Sequence, residues 1–226
     1  MICAKNLYKE FYLNGSKKVV VLKDVNLIIP THKITLIWGP SGAGKTTLLH
    51  ILGTLLKPSY GEVFWNGVNI YNLNDKELSK FRSEKIGFIF QFFHLIPDLT
   101  LEENVFLPLL IKKQSLKKNK EKVYYLLNSL GIFERRKHYP SDLSGGESQR
   151  ACIARALVGD PEYIFCDEPT GSLDSENAKS ILEILIKLNK EFKKTLIVVS
   201  HQKILEEFAD LVYYLYDGKI IESKGG

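Results

Sequence analysis

The stretch Gly39-Pro40-Ser41-Gly42-Ala43-Gly44-Lys45-Thr46 decides the fold class of this chain of 226 residues. It matches the pattern G-x-x-x-x-G-K-S/T and lies between a predicted strand and a predicted helix. The glycines let the backbone turn its N–H groups inward, and the following helix adds the positive end of its dipole. The stretch therefore predicts a polyphosphate-binding loop rather than a plain glycine-rich turn. Lys45 would reach the β- and γ-phosphates, Thr46 would hold Mg²⁺, and Thr47 would touch the α-phosphate.

Strands alternate with helices along most of the chain, which predicts an α/β core with buried parallel strands. The predicted strands are 19–22, 25–29, 34–38, 61–65, 86–90, 163–166, 195–200 and 211–216. The predicted core helices are 46–56, 176–190 and 203–209, and turns are predicted at Asn66-Gly67 and Asp217-Gly218. The pattern becomes helical from about 92 to 158, with helices at 102–110, at 119–130 and from Ser144 onward. We expect one domain, 1–226, with an inserted helical subdomain at approximately 92–158.

An acidic pair, Asp167 and Glu168, follows the apolar strand 163–166. Buried strands of this kind of sheet deliver their C-terminal residues to the edge where ligands bind. Asp167 is placed to orient a Mg²⁺-bound water, and Glu168 to activate the attacking water as a general base. An acidic turn after a strand is the alternative interpretation, and the phosphate loop in the same chain argues against it.

Two other polar residues follow predicted strands. His201 comes after 195–200 and is placed to donate a hydrogen bond to a γ-phosphate, and Gln91 comes after 86–90 and is placed to sense that phosphate through the metal. Taken singly, each has an ordinary structural role as the alternative. A surface or packing role is expected for the remaining histidines, which are His32, His50, His94 and His138.

The stretch Leu143-Ser144-Gly145-Gly146-Glu147-Ser148-Gln149-Arg150 predicts a second anion site, about 100 residues after the first. Ser144 is a favourable N-cap, and the paired glycines allow close approach to the backbone. The helix that follows would point its positive N-terminus outward. A capped helix start is the simpler alternative, but it explains Ser144 without explaining two glycines.

Taken in order, these motifs resemble those of the nucleotide-binding subunits of ATP-binding cassette transporters, over essentially the whole chain. The loop Ser172-Leu173-Asp174 belongs to the same pattern. The resemblance implies a P-loop NTPase core with an N-terminal antiparallel β subdomain and an inserted α-helical subdomain. It also implies an ATPase that uses ATP and Mg²⁺ and forms a head-to-tail homodimer when ATP is bound.

The same resemblance assigns the site residues. Each ATP would lie between the phosphate loop of one subunit and Ser144, Gly145 and Gly146 of the other, and Asp174 would communicate across the interface. This arrangement fits one chain with two half-sites too far apart to hold one nucleotide, because a two-fold dimer completes both. The catalytic residues would be Lys45, Gln91, Glu168 and His201. The metal ligands would be Thr46, Gln91 and Asp167.

The chain departs from the family pattern at two positions. Glu147 stands where the signature usually continues with glutamine, and this should be tolerated because the serine and the second glycine make the main contacts. The adenine-stacking residue is commonly tyrosine, and here Phe11 is the nearest match, with Tyr12 next to it. An ordinary core aromatic is the alternative for Phe11.

The segment Phe90-Gln91-Phe92-Phe93-His94-Leu95-Ile96-Pro97, with the residues up to 109, is similar to the lipoprotein-release, macrolide-export and cell-division group of the family. That likeness implies a separate integral-membrane permease as partner and a location at the cytoplasmic face of the cell membrane. Phe92, Phe93, Leu95 and Ile96 would contribute to a groove for the permease's coupling helix. Ordinary packing within the helical subdomain is the alternative.

Composition narrows the possible functions. With 45% hydrophobic and 25% charged residues the chain is an ordinary globular sequence. Its net charge of +5 is concentrated in 112–122, which holds six lysines and one acid. A solvated helix face is expected there, and weak attraction to an anionic leaflet is the alternative.

The termini and cysteines add expectations about location. The N-terminus reaches Lys5 before any apolar run, so no signal peptide is expected. The longest apolar stretches, such as 105–111, fall short of the roughly 18 residues that span a bilayer. The cysteines, which lack any C-x-x-C pair, indicate a reduced compartment and neither a disulfide framework nor a zinc site; they are Cys3, Cys152 and Cys166.

Two other classes of function fit less well. A soluble cassette ATPase of DNA repair or translation is opposed by the single cassette, the lack of a long coiled-coil insertion and the lack of a broad basic surface. No nucleic-acid partner is therefore expected. A P-loop kinase would leave both the Ser144 stretch and Glu168 without a role.

Overall fold

Two β-sheets and six α-helices contain most of the residues that the computed structural model describes, which are 1–13 and 17–225. The strands are β1 (Ile2–Leu13), β2 (Lys17–Ile29), β3 (Ile34–Trp38), β4 (Tyr60–Trp65), β5 (Val68–Asn69), β6 (Ile86–Ile89), β7 (Tyr163–Asp167), β8 (Thr195–Ser200), β9 (Leu211–Tyr216) and β10 (Lys219–Gly225). The helices are α1 (Lys45–Leu52), α2 (Asp75–Lys85), α3 (Leu101–Ile111), α4 (Leu116–Ser129), α5 (Gly145–Leu157) and α6 (Ser175–Lys190).

The larger sheet has the strand order β10-β9-β3-β8-β7-β6, and all of its pairs are parallel except β9 with β10. Successive residues of a strand face opposite sides, so each central strand supplies two cores. Ile164 and Cys166 pack with the helices α3 to α6, whereas Tyr163 and Phe165 pack with α1 and the smaller sheet. Strands that are buried on both faces confirm the predicted α/β class.

The smaller sheet is antiparallel, in the order β2-β1-β4-β5, and confirms the N-terminal β subdomain in the predicted fold class. The two strands predicted at 19–22 and 25–29 form one strand, β2, which bends at Asp24 where φ is 56°. The N-terminal β subdomain was predicted, but the bounds of strand β1 within it were not. The buried residues of β1 are Ile2, Ala4 and Leu7, so the alternation slips by one residue at Asn6, where φ is 49°.

Both predicted tight turns have the backbone that their sequences favour. Asn66-Gly67 joins β4 to β5 with φ of 48° and 86°, and Asp217-Gly218 joins β9 to β10 with φ of 43° and 77°. Asn and Gly are the residues that adopt such positive φ values most readily. Strand β10 was not predicted, because most of its residues are exposed and show no apolar alternation.

The helix predictions differ from the structure in three places. Helix α1 ends at Leu52 rather than at 56, and a methyl group on Gly53 would lie only 2.5 Å from the Phe88 ring. Helix α2 was missed because Leu78 is its only buried residue, although the capping box formed by Asn74 and Glu77 is a usable signal. The segment predicted as a helix at 203–209 is a short 3-10 helix, Lys203–Glu207.

Four loops meet at one edge of the larger sheet, because parallel strands share the edge where they end. The phosphate loop follows β3, Gln91 lies two residues after β6, Glu168 follows β7 and His201 follows β8. Helices α3 to α5 are inserted between β6 and β7. The fold therefore brings residues from four distant parts of the chain to a single edge.

Candidate functional site

The phosphate loop has the backbone that its glycines predict. Gly42 and Gly44 have φ of 80° and 101°, which residues with side chains rarely adopt. A cavity of about 270 Å³ opens above the loop and is lined by Val21, Gly42, Gly44, Lys45, Thr46 and Thr47. The site predicted from the loop sequence is thus a real concavity at the N-terminus of α1, where an anion is favoured.

Lys45 is the buried cation of this cavity. Its Nζ donates hydrogen bonds to the carbonyl oxygens of Gly39, at 2.8 Å, and Pro40, at 3.1 Å. It also lies 3.3 Å from Oε1 of Glu168, and both side chains are about nine-tenths buried. The structure therefore joins the predicted phosphate-binding cation to the predicted general base.

Thr46 and Asp167 are also brought together. The Thr46 hydroxyl donates to Oδ1 of Asp167 at 3.0 Å. Burial raises the pKa of Asp167, and this outweighs the lowering effect of the Thr46 hydrogen bond. A hydroxyl and a carboxylate this close are hard oxygen donors, the set that Mg²⁺ prefers. The pair fits the predicted magnesium ligands.

Glu168 is held by donors on several sides. Its Oε2 accepts from the Ser200 hydroxyl at 2.9 Å and from the His201 backbone N–H at 3.4 Å, and its Oε1 lies 3.1 Å from His201 Nδ1. The backbone at Glu168 has a φ of 43°, an uncommon value for a residue with a side chain. Strain of this kind is typical of functional positions and fixes the carboxylate at the strand edge.

His201 binds Glu168 through Nδ1 and leaves half of its side chain exposed. A neutral imidazole donates from only one nitrogen, so a ring that donates to Glu168 through Nδ1 gains a second donor at Nε2 only when protonated. Gln91 lies slightly apart. Its side-chain amide nitrogen faces Gly171, and its backbone carbonyl oxygen accepts from the Ser172 hydroxyl at 3.1 Å.

The Ser144 stretch begins α5 with a capping box. The Ser144 hydroxyl accepts from the Glu147 N–H at 3.2 Å, and the Glu147 carboxylate accepts from the Ser144 N–H at 2.8 Å. Gly146 packs directly on α6, because a Cβ there would lie 2.1 Å from Oδ1 of Asn177. Gly145 is different: a Cβ would meet only Leu173, at an ordinary 3.5 Å. Helix capping and packing thus explain Ser144 and Gly146, but the subunit itself does not require Gly145.

Asp174 caps α6. Its Oδ1 accepts from the Asn177 N–H at 2.9 Å, and its Oδ2 accepts from the Asn177 side-chain amide at 2.7 Å. These hydrogen bonds hold the pKa of the exposed Asp174 carboxyl below its ordinary value. Asp174 is thereby an ordered anion next to the beginning of α5.

Comparison with known proteins places this geometry in a family. The family model described as ABC transporter matches residues 22–171, which is more than half of the chain. The chain belongs to the ABC transporter family. It is an ABC-type ATPase cassette, as the motifs predicted.

Individual relatives of this ABC cassette match along nearly the full length. The lipoprotein-releasing system ATP-binding protein LolD of Legionella pneumophila is 40% identical over 97% of this chain and 96% of its own. The ABC transporter ATP-binding protein MJ0796 of Methanocaldococcus jannaschii is 43% identical over 97% and 95%. A solved structure described as the dimeric structure of MJ0796 superposes with a TM-score of 0.92, covering 100% of this chain and 98% of that one.

The aromatic candidates of the ABC cassette occupy exposed positions. Phe11 is 37% exposed and lies in the β1–β2 ladder opposite Val19, with the Lys9 ammonium 5.0 Å from its ring centre. Phe11 is therefore not among the buried residues of the core. Tyr12 is more exposed still, at 67%. Val21, two residues after Val19 on the same strand, lines the phosphate cavity. Nothing in the sequence indicated that Val21 belongs to the site.

The segment after Gln91 is partly exposed. Phe92 is 70% and Ile96 43% exposed, whereas Leu95 packs on the core beneath α3 to α6. Phe93 and His94 both have positive φ, and their carbonyl oxygens accept hydrogen bonds from the Arg155 guanidinium on α5. Ordinary packing thus accounts for Leu95 but not for Phe92 and Ile96.

The basic segment 112–122 has one lysine that differs from the rest. Lys112 donates to the carbonyl oxygen of Gly159 at 3.0 Å, and burial lowers its pKa. The remaining lysines of the segment are exposed, and the last of them, Lys122, lies on α4. In the described ranges 1–13 and 17–225, no helix is both long and apolar enough to cross a membrane.

Replacing Glu147 should weaken the beginning of α5. Glu147→Ala removes the capping box and the ion pair with Arg135, whose Nε lies 2.8 Å from the carboxylate. We expect a loss of about 1 kcal/mol in the free energy of unfolding at pH 7. Thermal unfolding measures it, with the exposed Glu121→Ala on α4 as the control.

The pH dependence of that loss has a defined sign. Hydrogen bonds from Ser144 hold the pKa of Glu147 below its ordinary 4.5, so the contribution is present above that pH and disappears as acid protonates the folded carboxyl. The difference between the variant and the wild type should therefore begin to shrink below about pH 4.5 and be lost once the pH falls below the lowered pKa of the folded Glu147 carboxyl. A difference that persisted unchanged in acid would contradict the capping role.

Proposed function

We propose that this chain is the ATP-binding subunit of a transporter, which forms a homodimer around two ATP molecules and drives an integral-membrane permease on a separate chain. The observation that carries the proposal is the 3.3 Å contact between Lys45 Nζ and the Glu168 carboxylate at the rim of the phosphate cavity. We further propose that 1–226 is one nucleotide-binding domain in which approximately 92–158 is the inserted helical subdomain.

ATP binding begins at the phosphate loop. The backbone N–H groups and the α1 dipole bind the phosphates, Lys45 reaches the β- and γ-phosphates, and Thr47 contacts the α-phosphate. Phe11 stacks on the adenine from the β1–β2 ladder. The residues that bind the nucleotide in one subunit are thus Phe11, Gly39, Pro40, Ser41, Gly42, Ala43, Gly44, Lys45, Thr46 and Thr47.

Thr46 and Asp167 hold the magnesium ion, with Gln91 joining them from the loop after β6. Their oxygen atoms suit Mg²⁺, and the Thr46–Asp167 hydrogen bond supports a common position for the pair. When bound, Mg²⁺ supplies charge neutralisation at the β- and γ-phosphates.

Hydrolysis depends on Glu168. The carboxylate accepts a proton from the attacking water, and the Ser200 hydroxyl and the His201 backbone N–H keep it in one orientation. Lys45 leaves its contact with Glu168 as it moves onto the phosphates. Once Glu168 holds that proton, its carboxyl donates to Nδ1 of His201, and the hydrogen on Nε2 of the same ring is donated to an oxygen of the γ-phosphate.

A second copy of the chain completes each site. Ser144, Gly145 and Gly146 of one subunit close over the ATP bound to the phosphate loop of the other, and Asp174 lies at the same interface. The absence of a packing reason for Gly145 supports a close approach from outside the subunit. One solved relative is described as the dimeric post-hydrolysis state of MJ0796 bound to ADP and Pi, which supports the same arrangement here.

The permease is a separate membrane protein, and the subunit works at the cytoplasmic face of the membrane. Several relatives carry the name of a lipoprotein-releasing system. We therefore propose that ATP hydrolysis by this subunit drives lipoprotein release, in preference to export or mechanotransmission. The exposed Phe92 and Ile96 support a docking groove for the permease next to Gln91.

Removing Phe92 should weaken binding to the permease. Phe92→Ser deletes an aromatic side chain that is 70% exposed, and we expect at least a tenfold loss of affinity because buried aromatics dominate protein interfaces. The measurement is co-purification in detergent with the candidate permease. Phe192→Ser, at an aromatic 56% exposed on another surface, is the matched control. Equal recovery of the permease with both variants would rule out this groove.

A further inference from the structure

One asparagine connects the two segments that face the partner subunit. Asn177 lies in the first turn of α6 and is half-buried against the beginning of α5. Its side-chain amide donates to Oδ2 of Asp174 at 2.7 Å, and its Oδ1 accepts from the Arg150 guanidinium at 3.1 Å. Gly146 packs on the same amide group, because a Cβ there would lie 2.1 Å from Oδ1.

These contacts require an amide of this length. The side chain must donate to a carboxylate and accept from a guanidinium at the same time, which a carboxylate or an apolar group cannot do. Both partners are charged, so the hydrogen bonds are of the stronger kind. Glutamine would add one methylene group next to Gly146, where there is no room for a further atom. The two charged partners also fix which end of the Asn177 amide is oxygen.

The position of Asn177 gives these contacts a functional meaning. Asp174 and the Ser144 stretch are distant in sequence, and Asp174, Ser144 and Gly145 are exposed at the two helix N-termini, whereas Gly146 is buried against α6. An exposed helix start frays easily when nothing ties it to a neighbour. Asn177 links the N-terminus of α6 to that of α5, so Gly146 and Asp174 keep a fixed spacing.

We infer that Asn177 is a positioning residue, which holds Asp174 and the Ser144 stretch at one spacing so that both engage the partner subunit in a single step. The inference rests on the homodimer of the proposed function. Asn177 contacts neither ATP nor the attacking water. It acts through Asp174 and Gly146, and its loss should affect association of the subunits rather than binding of ATP to one subunit.

The test compares two steps in the full-length chain. Asn177→Ala is introduced into a Glu168→Gln background, which is expected to accumulate the ATP-bound dimer. We expect the protein concentration at half-dimerisation to rise about tenfold, because association must then order Asp174 and the Ser144 stretch without the charge-assisted hydrogen bonds that Asn177 makes within the subunit. The affinity of the single subunit for a fluorescent ATP analogue should stay within about twofold of the parent, since no contact with the phosphate loop is lost.

A second substitution reports on charge. Asn177→Asp retains the acceptor for Arg150 but sets a carboxylate beside Asp174, so dimerisation should suffer more than in Asn177→Ala at low salt and recover partly at high salt. Asn119→Ala is the matched control, because Asn119 also lies in a first helical turn and bonds only within α4, to the Ser115 carbonyl at 2.9 Å. It should dimerise like its parent.

The outcomes separate this inference from the proposed function. Dimerisation of Asn177→Ala at the parent's concentration overturns the positioning role and leaves the dimer intact. Parallel losses of thermal stability and of ATP binding in both variants also overturn it, because they show a purely structural role. A Glu168→Gln parent that never dimerises with ATP contradicts the proposed function and this inference together.

Discussion

Glu168→Gln is expected to lower the rate of ATP hydrolysis by about 10² to 10⁴, the range over which a positioned general base acts. The substitution keeps the size of the side chain and an oxygen for the Ser200 hydroxyl, which donates at 2.9 Å in the wild type. It removes the negative charge that accepts a proton from water. ATP should still bind with an affinity within a few-fold of wild type, because the phosphate loop and Lys45 are unchanged.

The same variant should accumulate a dimer when ATP is present. If ATP holds two subunits together and hydrolysis releases them, a chain that binds without hydrolysing stays associated. Phosphate release measures the chemical step, and sedimentation with and without ATP measures the dimer. Glu162→Gln is a suitable control, since Glu162 precedes β7 and pairs instead with Lys85, 3.5 Å away. Hydrolysis at the wild-type rate would show that another group is the base.

The sequence predicted the site better than it predicted the small sheet. Each candidate at the edge of the larger sheet follows an apolar strand, and the C-terminal ends of parallel strands necessarily share an edge. That rule places Asp167, Glu168 and His201 near the phosphate loop without any knowledge of side-chain positions. The bounds of strand β1 escaped prediction because Asn6 interrupts its alternation with a left-handed backbone. A local reversal of this kind depends on pairing with β2 and β4, which are distant in sequence.

Contacts between side chains could not be predicted from the sequence. Ser200 is the last residue of a predicted strand and lies directly before His201. The hydrogen bond from Ser200 to Glu168 nevertheless depends on how β7 and β8 align. Asn177 carries no motif of its own, and although Asp174 is local to it, the contacts with Arg150 and Gly146 form only when α5 packs on α6. Motifs specify which backbone turns exist, whereas the partners of a polar side chain depend on tertiary packing.

Lys45→Ala should weaken ATP binding by roughly 10- to 100-fold. An ion contact near 4 Å is worth roughly 4 kcal/mol at an effective dielectric of 20, and desolvation and the lost contact with Glu168 offset part of it. The structure explains this offset, because Nζ lies 3.3 Å from Glu168 and donates to Gly39 and Pro40. Each tenfold loss of affinity corresponds to about 1.4 kcal/mol.

The size of that loss distinguishes two roles of Lys45. If the ammonium serves mainly to neutralise Glu168, Lys45→Ala lowers thermal stability and leaves ATP affinity nearly unchanged, since a buried carboxylate has lost its partner. If it serves the phosphates, affinity falls while the hydrogen bonds from Ser200 and His201 keep Glu168 in place. Calorimetric titration with ATP and thermal unfolding, performed on the same preparations, separate the two. Lys33→Ala removes a lysine from a surface pair with Asp210 and should change neither.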